Sequence, residues 1–243
     1  MIQIYNADCL EKMKDISDKS IDMILCDLPY GTTACKWDTI IPFDKLWEQY
    51  NRVIKDRGAI VLFAQCPFDK VLGCSNLKNL KYEWIWEKTQ ATGHLNSKKM
   101  PMKAHENILI FYKKPPIYNP QKTYGHKPAH SYVKRVDIQN KTNIYGYMGK
   151  EIIGKCSTDR FPRSVQVFSS DKQKCKLADT QKPVALCRYL IRTYTNENDL
   201  VLDNCMGSGS TGMACIEENR RFIGIEKDKE IFDTASNRLN III

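Results

Sequence analysis

The chain has 243 residues, 42% of them hydrophobic and 27% charged, which fits one folded domain with a substantial core. Lysine and arginine number 37 against 28 acidic residues, so the net charge is +9 and a polyanionic partner is expected. No apolar run approaches the length of a membrane span, and no secretory signal pattern is present, so we expect neither a membrane protein nor an exported one.

The hydrophobic pattern predicts alternating strands and helices along most of the chain. Strands are predicted at 2–6, 21–26, 59–63, 82–86, 108–112, 199–202 and 221–226. Helices are predicted at 9–14, 43–54, 67–77, 183–194 and 213–218. This alternation is typical of an α/β fold with a largely parallel sheet.

The segment 115–176 interrupts this pattern, because Gly, Pro and Tyr are frequent there and periodicity is weak. The wider window 98–176 contains 17 lysines and arginines against 5 acidic residues, a net +12, so the rest of the chain sums to −3. Interleaved tyrosines favour a nucleic-acid surface, whereas the alternative is a lysine-rich face that is merely solvated.

Ten cysteines raise the question of disulfides or a metal site. Their spacings are irregular, no Cys-x-x-Cys pair occurs, and Cys26, Cys66 and Cys215 lie in apolar runs. We therefore expect reduced thiols in a cytoplasmic protein, with no metal and no nucleophilic cysteine.

A glycine-rich loop follows the strand predicted at 199–202 and precedes a helix. It reads Asp203-Asn204-Cys205-Met206-Gly207-Ser208-Gly209-Ser210-Thr211-Gly212. Strand, glycine turn and helix N-terminus in that order are typical of a nucleotide-binding crevice. The glycines also fit a dinucleotide fingerprint, but that loop normally follows the first strand of its sheet, and this one comes near the end of the chain. Glu226, at the end of the next predicted strand, is the acceptor that a ribose diol requires.

The string Asp27-Leu28-Pro29-Tyr30 follows the second predicted strand, so its acid lies at the ligand-bearing edge of an open α/β sheet. Pro29 favours an extended Leu28. The Asp27 carboxylate and the Leu28 carbonyl are two acceptors beside the flat ring of Tyr30, an arrangement that suits an exocyclic amino group on a planar base. Alone, the string would be interpreted as a polar turn. Together with the glycine loop it indicates a base-binding site.

In this order the motifs resemble those of S-adenosylmethionine-dependent DNA amino-methyltransferases of the beta group, in which a DPPY-type motif precedes an FxGxG-type motif. The matching strings are DLPY at 27–30, CMGSG at 205–209, IQIYNADCL at 2–10, TQKP at 180–183 and GIEKD at 224–228. The resemblance covers 1–239. The chain departs from the pattern where Leu28 replaces a proline, Cys205 and Met206 replace a Pro-Phe-type pair, and Ala178 and Asp179 replace His-Pro.

The resemblance implies a doubly wound α/β, class I methyltransferase fold in circularly permuted order. Its sheet would be mostly parallel and seven-stranded, with one antiparallel strand. Residues 1–114 and 177–243 would form the catalytic and cofactor-binding domain, and 115–176 a basic target-recognition insertion.

The activity implied is methyl transfer from S-adenosylmethionine to the amino group of a flipped base in double-stranded DNA. An aspartate at position 27 is the family pattern for adenine N6, so we expect adenine, with cytosine N4 as the alternative. A nucleic-acid-binding regulator that keeps the fold is a rival, against which the intact Asp27, Tyr30 and Asp203 argue. A dinucleotide oxidoreductase is a third option, disfavoured by the late glycine loop. A cognate restriction endonuclease stays open as a partner, and both a monomer and a homodimer fit.

The resemblance also implies roles for individual residues. Asp203 would bind the methionine ammonium of the cofactor, Glu226 the ribose and Lys182 the carboxylate. Asp8 is matched to the adenine amino group, with a helix N-cap as its alternative role. The expected catalytic residues are Asp27, Leu28, Pro29 and Tyr30. The expected cofactor contacts are Asp8, Asp27, Lys182, Asp203, Cys205, Met206, Gly207, Ser208, Gly209, Ser210, Glu226 and Lys227. The expected DNA contacts are Lys88, Lys98, Lys99, Lys134, Arg135, Arg160 and Arg163.

Overall fold

A computed structural model describes residues 1–33, 38–128, 133–134, 152–153, 157–170 and 181–240. Its strands are β1 (Ile2–Asn6), β2 (Ile21–Asp27), β3 (Ile54–Ala64), β4 (Leu80–Thr92), β5 (Lys103–Phe111), β6 (Val133–Lys134), β7 (Ile152–Ile153), β8 (Val165–Phe168), β9 (Leu200–Asp203) and β10 (Arg221–Glu226). Its helices are α1 (Cys9–Met13), α2 (Phe43–Val53), α3 (Phe68–Ser75), α4 (Val184–Tyr194), α5 (Ser210–Glu217) and α6 (Lys229–Arg238). None of the helices in these ranges has the length and apolar character needed to cross a membrane.

Eight of the strands form one sheet in the order β1-β10-β9-β2-β3-β5-β4-β8. β5 runs antiparallel to both of its neighbours, and the other pairings in this sheet are parallel. A mostly parallel sheet with one antiparallel strand agrees with the expectation, but the number of strands does not. The eighth is β8, which pairs with the outer edge of β4 and so satisfies backbone groups that would otherwise face solvent.

Alternate residues of the central strands pack into two cores, one on each face of the sheet. Ile24 of β2 lies in the same core as Leu46 of α2, whereas the next residue, Leu25, lies with Leu190 of α4. A parallel strand covered by helices on both faces is buried on both sides, which explains the nearly continuous apolar sequence of β2.

The parallel strands β1, β10, β9 and β2 bring their C-terminal ends to one edge of the sheet. Asn6, the last residue of β1, pairs in register with Glu226, the last residue of β10. Asp203, the last residue of β9, pairs with Gly224 of β10. Polar residues at the ends of these strands therefore lie next to one another, as expected for the ligand-binding edge of an open α/β sheet.

Residues Pro120–Pro162 form a compact unit of their own, and Met1–Asn119 with Arg163–Ile243 form the other. Described features inside the smaller unit include the β6–β7 pairing and an ion pair of 2.7 Å between Lys122 and Asp159. This unit lies within the predicted insertion 115–176 but is shorter, because β8 belongs to the large sheet.

Candidate active site

A cleft of about 960 Å³ opens at the edge where the parallel strands end. Segments that follow β1, β2, β9 and β10 line it, together with residues of β4 and β5. Small-molecule sites span about 300–1,000 Å³, so this cleft has room for a large cofactor beside a second planar ligand. All of the predicted catalytic residues line it, as do all of the predicted cofactor contacts except Gly209.

The glycine loop runs from the end of β9 to the start of α5. Gly207 and Gly209 have φ angles of 51° and 80°, in the left-handed region that favours glycine. The Met206 N–H donates to the Ile225 carbonyl at 2.9 Å and fastens the loop to β10. A Cβ placed on Gly207 would meet no atom within 4 Å, so open space lies over the backbone at this point of the cleft. The predicted loop is therefore formed, and the space above its backbone at Gly207 is open.

Ser208 and Ser210 line the cleft beside these glycines and are largely buried. The Arg238 guanidinium donates to the Ser208 carbonyl at 3.0 Å and to the Ser210 hydroxyl at 3.1 Å. Arg238 is the last residue of α6, so α6 anchors the glycine loop through these hydrogen bonds.

Asp203 ends β9 and is only 3% exposed at the wall of the cleft. Its Oδ1 accepts a hydrogen bond from the Cys205 N–H at 3.2 Å. Desolvation by burial raises the pKa of Asp203 to about 7, although hydrogen bonds from Thr211, Cys205 and Cys26 oppose this. Within the described ranges, no lysine, arginine or histidine forms an ion pair with it. A buried carboxylate in that situation fits the ammonium group of a ligand.

Glu226 ends β10 and also lines the cleft. Its Oε2 accepts from the Gly207 N–H at 3.0 Å and its Oε1 from the Asp228 N–H at 2.9 Å. Burial raises the pKa of Glu226, and these backbone hydrogen bonds partly offset the effect. The carboxylate is thus oriented by the loop that it faces.

Asp8 caps α1: its Oδ1 accepts from the Leu10 N–H at 3.0 Å. Its other oxygen lies 3.2 Å from the ammonium of Lys227, another predicted cofactor contact. Asp8 is therefore the N-cap of α1, the alternative role considered from the sequence. A role for Asp8 toward a cofactor adenine stays a prediction.

The turn Asp27-Leu28-Pro29-Tyr30 follows β2 and lines the same cleft as the glycine loop. The Tyr30 hydroxyl donates to Asp27 Oδ1 at 2.7 Å. The Tyr30 ring stacks on Phe68, with ring centroids 4.9 Å apart and planes inclined by 25°. Leu28 is buried in the core on that side of the sheet. The structure therefore presents a carboxylate and an aromatic face side by side, as predicted.

Asp38 holds the loop after Tyr30, a role that sequence reasoning missed. Its carboxylate accepts from the backbone N–H groups of Gly31 at 2.8 Å, Thr32 at 2.9 Å and Thr33 at 2.7 Å. Burial opposes its ionisation, but these hydrogen bonds outweigh it and lower the pKa of Asp38. Nothing adjacent in the sequence distinguishes this aspartate from an ordinary surface residue.

Four charged side chains form an alternating network on the floor of the cleft. Lys182 forms an ion pair with Asp27 Oδ2, and its ammonium lies 3.4 Å from Glu106 Oε2. Glu106 Oε1 lies 2.6 Å from the ammonium of Lys88. The side chains of Lys182, Glu106 and Lys88 are only 11%, 9% and 10% exposed, so the network is largely removed from solvent.

Two residues with predicted ligand contacts belong to this network, and one residue is added. The Lys88 ammonium is buried against Glu106, and its contact with a DNA phosphate stays a prediction. Lys182, expected beside the cofactor carboxylate, forms an ion pair with Asp27, and its role toward a cofactor also stays a prediction. Glu106 was not singled out at all, since its partners are distant in the sequence.

Burial and the charges of neighbouring groups compete in setting the pKa values of Asp27, Lys182 and Glu106. Burial raises the pKa of Asp27 and Glu106 raises it further, while Lys182 lowers it. Burial alone would lower the pKa of Lys182, but the two carboxylates outweigh it and raise that pKa. Burial opposes ionisation of Glu106, yet the two lysines leave its pKa below the usual value. Lys182 and Glu106 are therefore charged at neutral pH.

The thiols of Cys26 and Cys205 are protonated at neutral pH. Burial raises the pKa of Cys26 to about 12. Hydrogen bonds with the thiols of Cys26 and Cys9 raise the pKa of Cys205 well above its ordinary value. A protonated thiol is a poor nucleophile. Within the part of the chain that the structure describes, no group of three or more His, Cys, Asp or Glu side chains has a geometry that suits a metal ion.

The predicted DNA contacts fall into different environments. Lys98 and Lys99 are exposed in the β4–β5 loop at 93–102, which also carries Leu95 at 98% exposure. Arg163 is exposed just before β8.

In the smaller unit, the Arg160 guanidinium is used internally, donating to the carbonyls of Ser157 at 2.7 Å and Asp159 at 2.8 Å. Lys134 lies in β6, where only the backbone is described, and Arg135 lies outside the described residues. The phosphate-binding roles of Lys134 and Arg135 stay predictions.

Comparison with known proteins shows which family the chain belongs to. The profile of the DNA methylase family, which groups N6 and N4 methyltransferases, matches residues 21–237. Type II methyltransferase M1.MboII of Moraxella bovis is 28% identical over 98% of this chain and 96% of its own length. DNA adenine methyltransferase YhdJ of Escherichia coli K12 is 28% identical over 98% of this chain and 82% of its own length.

The crystal structure of the M1.HpyAVI–SAM complex superposes on the chain with a TM-score of 0.64. Its sequence is 27% identical, and the match covers 98% of this chain and 100% of that one. The superposition confirms the class I methyltransferase fold. The profile match spans both sides of the cleft, from the Asp27 turn to the glycine loop and Glu226. The chain therefore belongs to the DNA methylase family.

Proposed function

We propose that this protein transfers a methyl group from S-adenosylmethionine to the N6 amino group of adenine in double-stranded DNA. The observation that carries the proposal is the position of Asp27 and Tyr30 in the same cleft as Asp203 and the glycine loop. A base-binding turn and a nucleotide-binding loop at one sheet edge provide both halves of such a reaction. The likeness to a DNA adenine methyltransferase and to a protein solved with SAM supports it.

On the cofactor side, the buried Asp203 carboxylate would bind the methionine ammonium, which supplies the cation that it lacks. Glu226 would accept from the ribose hydroxyls and Asp8 from the adenine amino group. The open backbone at Gly207 allows close approach of a ligand. S-adenosylmethionine, when bound, supplies an electrophilic methyl group.

On the target side, the lone pair of a base amino group is delocalised into the ring, which makes the nitrogen a poor nucleophile. The Asp27 carboxylate and the Leu28 carbonyl would accept its two N–H groups and localise that lone pair. The Tyr30 ring, supported by Phe68, would stack on the base. Orientation, and acceptors placed where positive charge develops, would supply much of the rate.

A duplex hides the amino group within the base stack, so the target base must flip out to reach this cleft. The exposed Lys98, Lys99 and Arg163 are charged appropriately for the phosphates of a duplex. Leu95, in the same loop as the two lysines, is an apolar side chain of the kind that wedges beside unstacked bases.

Adenine is favoured over cytosine because an aspartate occupies position 27, the family pattern for N6 transfer. The order of the motifs resembles that of the beta group and supports assignment of the chain to it. We propose a cytoplasmic enzyme that acts in restriction–modification with a cognate endonuclease, because relatives are designated Type II methyltransferases. A monomer and a homodimer are both compatible with this activity.

A direct test incubates the purified chain with methyl-labelled S-adenosylmethionine and genomic DNA, digests the DNA and identifies the labelled nucleoside by mass spectrometry. N6-methyladenine is expected, with no label in a reaction containing Asp27→Ala at equal concentration. N4-methylcytosine would correct the base. Absence of label in both bases, with DNA from several sources, would refute the proposed activity. Modification-sensitive sequencing of an expressing host would then give the recognition site.

A further inference from the structure

We propose that Glu106 is the alternate partner of Lys182 and that it draws the lysine away from Asp27 when the target amino group binds. Glu106 is thus a positioning residue that acts on catalysis through Lys182. The inference rests on the proposed methyl transfer and concerns how the free carboxylate is made available.

Both oxygens of Asp27 have partners among the described residues. Tyr30 donates to Oδ1 at 2.7 Å, and Lys182 forms an ion pair with Oδ2. An incoming amino group needs one of these oxygens as its acceptor. Lys182 is the stronger competitor, because an ammonium bonded to a carboxylate withdraws the negative charge that the amino group requires.

Glu106 Oε2 is a buried acceptor that lacks a hydrogen bond from any residue in the described ranges. It lies 3.4 Å from Lys182 Nζ, which is a long ion pair rather than a well-formed charge-assisted hydrogen bond. A buried polar atom left in this state is costly and calls for an explanation. The explanation we propose is that Glu106 Oε2 serves as the second acceptor for the Lys182 ammonium.

The network is built so that the lysine moves and the glutamate stays. Lys88 holds Glu106 Oε1 at 2.6 Å and itself lies over the Trp86 ring at 5.1 Å. The Lys182 ammonium lies 5.3 Å from the Phe63 ring centroid and 5.8 Å from that of Tyr30, with no other carboxylate within ion-pair distance among the described residues. A movement of about 0.6 Å would bring it to the usual charge-assisted distance of about 2.8 Å from Glu106, and the lysine must swing further than this to release Asp27. Two carboxylates and two ammonium groups keep the network neutral in either arrangement.

The charge of Glu106 also predicts a pH signature. The titratable groups that face Asp27 come from four other parts of the fold: Tyr30, Glu106 on β5, Lys182 before α4, and Asp203 at the end of β9, with Cys26 and Cys187 behind them. Glu106 raises the pKa of Asp27, so removing its charge lowers that pKa. The acidic limb of the rate profile should then move to lower pH.

The test compares Glu106→Gln with a matched control, Glu218→Gln. Glu218 is about as buried as Glu106, with 7% and 9% of the side chain exposed, and is likewise held by two cations, Arg188 and Arg192. It does not line the cleft. Each variant is assayed for kcat as a function of pH, for S-adenosylmethionine affinity by calorimetry and for thermal stability.

For Glu106→Gln we expect kcat to fall by about ten- to a hundredfold, by analogy with the loss of residues that orient metal-ligating side chains. Cofactor affinity should stay within about twofold, and the acidic limb should move down in pH. Glu106→Asp, which keeps the charge on a shorter arm, should retain the wild-type limb with an intermediate kcat. Glu218→Gln should lose stability and leave both kcat and the limb unchanged.

A wild-type kcat in Glu106→Gln would overturn the proposal. So would a loss of kcat in Glu106→Gln that is accounted for by a loss of thermal stability like that of Glu218→Gln. If the wild-type chain methylates no DNA, the proposed function fails separately. Titration of the Asp27 carboxyl carbon by NMR then decides the inference, since its pKa must fall in Glu106→Gln. An unchanged Asp27 pKa in that measurement would end it.

Discussion

Tyr30 donates a hydrogen bond to Oδ1 of Asp27 at 2.7 Å, so the aromatic face and the carboxylate of the base-binding turn are coupled. The ring of Tyr30 is itself fixed by stacking on Phe68. The hydrogen bond therefore helps to orient the carboxylate relative to the ring, and a base stacked on the ring would meet an acceptor beside it.

Two substitutions of Tyr30 separate these contributions. Tyr30→Phe keeps the stacking surface and removes the hydrogen bond to a charged acceptor, a loss of about 1.5–3 kcal/mol, so kcat should fall about ten- to a hundredfold. The fluorescence rise of 2-aminopurine at the target position, which reports base flipping, should persist in this variant. In Tyr30→Ala both the rate and the fluorescence response should be lost. An equal loss of fluorescence in Tyr30→Phe would contradict the separation.

Asp203 should make the ligand-free protein less stable as the pH rises. Its pKa in the folded chain is about 7 against a reference value of 3.8, so its contribution is full below about pH 4 and is lost as the pH rises through 7. Asp203→Asn should therefore have a higher Tm than wild type at pH 8, by about 2–4 °C per kcal/mol, and the difference should shrink toward pH 5. Thermal unfolding at several pH values measures this.

The same variant should bind S-adenosylmethionine about ten- to a hundredfold more weakly at pH 8, because a charged acceptor is lost. Calorimetry with Glu226→Gln, which alters a different part of the cofactor site, is the companion measurement. Unchanged affinity in both variants would reduce the glycine loop to a structural turn.

Lys98 and Lys99 should contribute to DNA affinity without affecting the cofactor. Replacing both with alanine should weaken binding to all sequences alike and reduce the slope of log affinity against log salt by about 0.9 for each phosphate that is no longer neutralised. Lys114→Ala is the control, because Lys114 is exposed and pairs with Asp56 at the opposite edge of the sheet. A changed sequence preference with an unchanged salt slope would instead mean that these lysines contact bases.

Gly224 has no room for a side chain. A Cβ there would overlap the Met206 sulfur and lie 2.7 Å from the Phe222 ring, so Gly224→Ala should destabilise the fold by about 1–3 kcal/mol. Gly73→Ala in α3 is the matched control, since its added Cβ would make an ordinary contact at 3.4 Å with Leu80. Chemical denaturation should show a loss of stability only for Gly224→Ala.

The strands and helices with strong periodicity were predictable from the sequence, and so were the carboxylates that follow them. Asp27, Asp203 and Glu226 each come at the end of a buried strand, and parallel strands end at one edge. Local pattern and general topology therefore sufficed to bring the base-binding turn and the glycine loop together.

What the sequence did not reveal depends on partners that are distant along the chain. Glu106 reads as an ordinary polar residue, because the lysines that neutralise it are 18 and 76 positions away. The strand β8 has only four residues in a segment of weak periodicity, and it forms because β4 offers an open edge. Asp38 likewise becomes distinctive only when three backbone N–H groups turn toward it.

The sheet order has a consequence for synthesis on the ribosome. Among the described strands, β1 pairs in the large sheet with β10 alone, and β10 lies between β1 and β9. β1 thus waits, with both backbone edges unpaired, until β10 has been translated. Such long-range closure is slow, and exposed strand edges invite aggregation in the interval. We expect nascent chains stalled before Arg221 to be chaperone clients, and methylation competence to appear only after release of the complete sheet.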